Sequence, residues 1–132
     1  MIGLGTNILL RSVLDDDPIQ SPAAQRLLQS LDRQRPGYVN VPVILEFFWV
    51  LRSRYRLPRG RLSRIMRDLI EVEYIGFEAL ETIGKALATY ESGMADFSDA
   101  MIAMRNRELG ADMTFTFDRD AARVLPSMEL LS

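Results

Sequence analysis

The sequence predicts an α/β domain built around a parallel sheet. Short apolar runs at Met1–Gly5, Tyr38–Val41 and Thr114–Phe117 alternate with longer stretches of helical periodicity, the pattern that places helices over parallel strands. Breakers stand between these stretches: Asp15-Asp16-Asp17-Pro18, Pro36-Gly37, Pro58 and Gly110. The chain has 132 residues, 48% of them hydrophobic, with no internal repeat, linker or low-complexity stretch, so one domain over 1–132 is expected.

Each element has a local reason. Met1–Gly5 reads as a short buried strand. Thr6-Asn7 starts a helix whose apolar residues are Ile8, Leu9, Leu10, Val13 and Leu14, and the triple Asp that ends it reads as a solvated loop. Ser21-Pro22 reads as an N-cap with proline at the first helical position, opening a helix through Leu31 that Pro36-Gly37 breaks. Tyr38–Val41 is a second strand, and Pro42 opens a strongly apolar helix to about Tyr55. Arg59–Val72 is amphipathic, with Leu62, Ile65, Met66, Leu69 and Ile70 inward. Tyr74–Phe77 reads as a short strand or extended link. Ala79–Tyr90 is a helix with Leu80, Ile83 and Leu87 on one face. Asp96 begins another, carrying Ala100, Ile102, Ala103 and Met104 to Gly110. After Thr114–Phe117, a helical turn at Arg119–Val124 leads to a last strand near Met128–Leu131.

Composition excludes several chemistries. With no Cys there is no disulfide, thiolate nucleophile or Cys-based zinc site, and with no His there is no Ser-His-Asp triad. Lys85 is the single lysine among 16 basic residues. Carboxylates, hydroxyls and metal ions are left to carry any reaction. Net charge is −2, but Arg52, Arg54, Arg56, Arg59, Arg61, Arg64 and Arg67 crowd one stretch free of acids. Such a stretch meets phosphates or an acidic partner, or is a solvated helix face. The N-terminus has no signal-peptide features and no apolar run approaches a membrane span of ~18 residues, so a cytoplasmic location is expected.

Ligands of open α/β sheets bind beyond the carboxyl ends of the strands. The polar residues expected there are Gly5-Thr6-Asn7, Glu46, Asp96 with Asp99, and Asp118. Each acid also has a bland role. Asp96 and Asp99 suit a helix N-cap and first turn, and Asp118 or Asp120 suits a cap of the turn that follows. Glu46, between Leu45 and Phe47, reads as a buried carboxylate that needs a partner such as an arginine. Converging, the four would repel: like charges ~4 Å apart cost about 4 kcal/mol at a dielectric of 20. Oxygen ligands of this kind suit Mg²⁺ or Mn²⁺.

Taken in order, Thr6-Asn7-Ile8-Leu9, Val43-Ile44-Leu45-Glu46 with Trp49-Val50-Leu51, Ala95-Asp96-Phe97-Ser98-Asp99-Ala100 and Thr116-Phe117-Asp118 resemble the PIN-domain ribonucleases. Within that family they resemble the VapC-type toxins of bacterial toxin–antitoxin pairs. The resemblance implies a three-layer α/β/α domain with a central, mainly parallel sheet, usually dimeric, and an acidic pocket that binds Mg²⁺ or Mn²⁺ and cuts single-stranded RNA. It implies metal binding and catalysis by Glu46, Asp99 and Asp118 with Asp96 in or beside the cluster, supported by Thr6, Asn7 and Thr116. It implies a cognate antitoxin as partner, with Arg52, Arg56, Arg59 and Arg61 holding RNA or antitoxin.

One position departs from the family. Its metal-binding aspartate at the end of the first strand is here Gly5, which has no side chain to coordinate anything. The expected function is therefore a ribonuclease toxin impaired in this chain. The alternative is a non-catalytic PIN scaffold that binds RNA or antitoxin. A two-component receiver domain would need acids after the first strand and a lysine late in the sheet, and Gly5 and the lone Lys85 argue against it.

Overall fold

Parallel strands require a crossover between them, and both crossovers of the N-terminal half use two helices. In a computed structural model that describes residues 1–131, the order there is β1 (Ile2–Gly3), α1 (Thr6–Leu14), α2 (Gln20–Gln29), β2 (Gly37–Val39), α3 (Val41–Ser53), α4 (Arg59–Ile70) and β3 (Ile75–Phe77). The strands pair in parallel in the order β1-β2-β3, with Ile2 opposite Gly37 and Gly37 opposite Ile75. These elements form a compact unit, Met1–Glu78; a second unit begins at Ala79. There α5 (Leu80–Glu91) packs on α6 (Phe97–Glu108), and β4 (Thr114–Thr116) pairs in parallel with β5 (Met128–Leu130) across α7 (Arg119–Val124). No helix of the described residues is long and apolar enough to cross a membrane.

In the first unit the core is Leu9, Val39, Ile44, Phe47, Phe48, Leu51 and Met66, all fully buried. Side chains of that size contribute about 1.5–3 kcal/mol each on burial. Gly37 is fixed by packing: a Cβ there would stand 2.8 Å from the Leu4 side chain and 3.0 Å from Leu31. In the second unit Ile83, Ala86, Leu87, Phe97, Ala100 and Met101 are buried.

The expected elements are all present, and several boundaries move for local reasons. Ser21 does not cap α2. Asp17 does, its Oδ1 accepting from the backbone N–H of Ile19 at 2.9 Å and of Gln20 at 2.7 Å, while buried Ser21 accepts from the Asp17 N–H at 3.2 Å. The Asp triplet is therefore a built junction and not simply a solvated loop. Helix α2 stops at Gln29 because the Ser30 hydroxyl donates back to the Leu27 carbonyl and Asp32 accepts from the Arg35 N–H. Strand β2 ends at Val39, since Asn40 turns to cap α3 by accepting from the Val43 N–H at 3.0 Å. Helix α4 ends at Ile70, short of Val72. Leu80 and Ile102 are exposed: the buried stripe of α5 begins at Thr82 and Ile83, and Met101 faces inward in place of Ile102.

Candidate active site

Parallel pairing brings the carboxyl ends of β1, β2 and β3 to one edge of the sheet, where Gly5, Asn40 and Glu78 follow them. Two of these position α3. Asn40 caps it, and the Glu78 carboxylate accepts from the N–H of Val41, its first residue, at 2.9 Å. Anionic oxygen at a helix N-terminus also suits the helix dipole. Held there, α3 carries Glu46 back toward the start of α1, where the Thr6 hydroxyl donates to its Oε1 at 2.5 Å. Glu46 is exposed and takes a hydroxyl; the expected buried carboxylate paired to arginine is not what forms. It escapes burial because Phe47, Phe48 and Ile44 occupy the inward face of α3 and Glu46 points away from them.

Gly5, Thr6, Asn7 and Glu46 line a single cavity of ≈ 400 Å³. Gly5 has φ −80° and ψ 165°, extended backbone open to any residue, and a Cβ there would meet nothing within 4 Å. An aspartate side chain fits at this position without strain.

The same cavity is lined by Arg54, one of the arginines of the acid-free stretch, and by three residues to which no role had been given: Arg11, Trp49 and Tyr55. Arg11 donates to Asp16 Oδ1 at 3.0 Å and to Gln20, and the Tyr55 hydroxyl donates to Asp16 Oδ2 at 3.2 Å. The bond to Arg11 holds the Asp16 carboxyl below its ordinary range and raises the Arg11 guanidinium. Asp17 is also lowered, by the N–H groups of Gln20 and Ile19 that it caps. Of these residues only Trp49 announces itself in sequence, three positions after Glu46 and so on the same helical face. The others reach the cavity through tertiary packing.

The four arginines expected to hold RNA or antitoxin do not line this cavity. Arg52 stands 5.9 Å from the Phe48 ring centroid, Arg56 has a left-handed backbone with φ 50°, and Arg59 and Arg61 lie in the first turn of α4.

Asp96, Asp99, Asp118 and Thr116 belong to the second unit. Asp96 is the N-cap residue of α6 without a side-chain cap bond, and half-buried Asp99 lies in its first turn. Asp118 caps α7, accepting from the Ala121 N–H at 3.0 Å, and its own N–H donates to the Thr116 hydroxyl at 3.0 Å. Asp120 pairs with Arg123 at 3.3 Å. Within neither unit, among the described residues, are three acidic side chains grouped as a metal ion needs. The first unit offers its cavity one carboxylate, Glu46, where an aspartate at position 5 would add a second. Neither unit alone completes a divalent-cation site.

Fold and cavity together define an α/β chain with a hydroxyl-bound carboxylate beyond the ends of parallel strands. Within that class the chain belongs to the PIN domain family, which matches residues 4–125. Its parallel strands and seven helices among the described residues are consistent with the three-layer α/β/α fold of that family. PIN domains are generally nucleases and typically use divalent metal ions. No curated protein matches the chain.

Proposed function

We propose that the protein is a single PIN domain acting as a ribonuclease toxin of a cytoplasmic toxin–antitoxin pair, impaired as it stands by Gly5. The observation that carries this reading is the Thr6–Glu46 bond beside an unfilled position 5. A hydroxyl from the start of α1 holds an exposed carboxylate that no packing requirement explains, next to backbone that accepts an aspartate without strain. In this reading the metal-binding role implied by the resemblance falls to Glu46, Asp96, Asp99 and Asp118, and an aspartate at position 5 would restore the missing ligand for Mg²⁺ or Mn²⁺. Thr6 fixes the Glu46 carboxylate, and Asn7 and Thr116 support the positions around it. Arg52, Arg56, Arg59 and Arg61 serve RNA or a cognate antitoxin, and the active form is a homodimer.

The test is Gly5→Asp. The chain as it stands should cleave RNA slowly or not at all, because misplacing catalytic geometry by ~1 Å already costs about 100-fold. The variant should bind Mg²⁺ or Mn²⁺ more tightly by calorimetry. It should also cut RNA in an EDTA-sensitive way and slow the growth of cells lacking the antitoxin. A folded, metal-binding Gly5→Asp protein that cuts no RNA and harms no cells would leave the non-catalytic scaffold as the reading.

A further inference from the structure

Helix α3 buries Ile44, Phe47, Phe48 and Leu51 completely, yet its largest side chain, Trp49, is 50% exposed. Trp49 stands three residues after Glu46, so the two are surface neighbours on one helix face, and both line the same cavity. Arg54, at the C-terminal end of α3, lies about 12 Å farther along the axis than Glu46 at 1.5 Å per residue. Arg11 is engaged by Asp16 and Gln20, whereas the Arg54 guanidinium has no ion-pair partner among the described residues. Tyr55 is 41% exposed and held in place through its hydroxyl by Asp16. The apolar remainder of the lining, Leu10 and Val50, is buried, so the cavity offers flat aromatic surface and one uncommitted cation beside a carboxylate.

We propose that Trp49, Arg54 and Tyr55 form a base-stacking subsite that takes one unpaired nucleotide of single-stranded RNA, its base on Trp49 and its phosphate on Arg54. This rests on the ribonuclease reading and deepens it, by giving the strand a path along α3 toward Glu46. Aromatic faces accept any base that is free to leave a duplex, and a lone arginine beside them suits a backbone phosphate. A protein segment has less to hold here, since the aliphatic side chains of the lining are covered.

Trp49 is the only tryptophan, so its emission reports this subsite alone. The full chain with Gly5 retained is titrated in EDTA with a short single-stranded RNA and with the same sequence as a duplex. Single strand should quench Trp49 emission saturably, and duplex should do so far less. With labelled RNA, Trp49→Leu should weaken binding about fivefold to a hundredfold, the range that base stacking supplies. Trp49→Phe should recover most of the loss. Arg54→Ala should weaken binding and flatten its salt dependence by a slope of about 0.7, one phosphate contact.

Emission unchanged through the titration, or a Trp49→Leu protein that binds single strand as tightly as its parent, overturns the subsite and leaves the cavity to a protein partner. The two readings fail separately. RNA cleavage by Gly5→Asp with a silent Trp49 overturns the subsite alone. Quenching in the Gly5 chain, together with a folded, metal-binding Gly5→Asp protein that cuts no RNA, supports the subsite and removes the nuclease.

Discussion

Glu46 and Asp118 are both acids near the end of a parallel strand, and each accepts one hydrogen bond, but from different sources. Asp118 takes the N–H of Ala121, three residues on, and so starts α7. Glu46 takes the hydroxyl of Thr6, forty residues away, and starts nothing. A cap contributes its stability whether or not the protein does any chemistry, so the position of Asp118 has a sufficient structural reason. An exposed acid held by a distant hydroxyl has none, and its geometry instead resembles that of a side chain oriented for a ligand. A family motif can therefore mix residues that the fold needs with residues that only the site needs, and stability and activity measurements separate them.

The largest effect expected is on cleavage, in the Gly5→Asp background. Glu46→Gln should lower RNA cleavage by about 100-fold or more, the cost of losing positioned catalytic geometry. Its melting temperature should hardly move, because surface substitutions away from such features usually stay within about 0.5 kcal/mol. Thr6→Ala should fall between, since the carboxylate remains and only its orientation is lost. If Glu46→Gln cleaves like its parent, the contrast between the two acids disappears.

Next is the cap. Asp118→Ala should lose about 1 kcal/mol of stability, even in the chain with Gly5, or roughly 3–5 °C in melting temperature at this size. Asp118→Ser keeps an N-cap oxygen and should recover most of it. The serine variant also sharpens the comparison. If it keeps the cap but abolishes cleavage in the Gly5→Asp protein, Asp118 serves both fold and site; if it cleaves normally, Asp118 belongs to the fold alone.

Much of this was legible in the sequence where the signals are local. Helix α7 runs from Arg119 to Val124 as its flanking residues imply, and α1 stops at the Asp triplet. Gly5, Thr6, Asn7 and Glu46 share a cavity because strand-end reasoning follows from parallel pairing itself. What escaped was the choice among competing hydrogen-bond partners. Asp17 displaced Ser21 as the cap of α2, and Asn40 left β2 to cap α3, because short polar side chains near a terminus compete for the same N–H groups. The apolar company of Glu46 in sequence suggested burial, but a helix face is set by every third and fourth residue and not by adjacent ones. Arg11 and Tyr55 carry no local sign that Asp16 brings them to one cavity.

The smallest effect concerns that rim and its acid dependence. The Asp16 carboxyl lies below the ordinary aspartate value of 3.8 because Arg11 donates to it. A carboxyl lowered on folding contributes stability that is present above the unfolded value and is lost as pH falls through the folded one. Asp16→Asn removes that contribution. Parent and variant should therefore differ most in melting temperature above the ordinary carboxylate range and converge as pH falls below it. The pair is exposed, so added salt should shrink the gap as well. Asp17→Asn is the matched control: asparagine caps α2 as well as aspartate does, so only the charge is lost and the neutral-pH melting temperature should move less. A gap for Asp16→Asn that stays constant from about pH 6 to about pH 2 would mean that the charge on Asp16 does not hold the rim, and that Arg11 and Tyr55 are placed by packing alone.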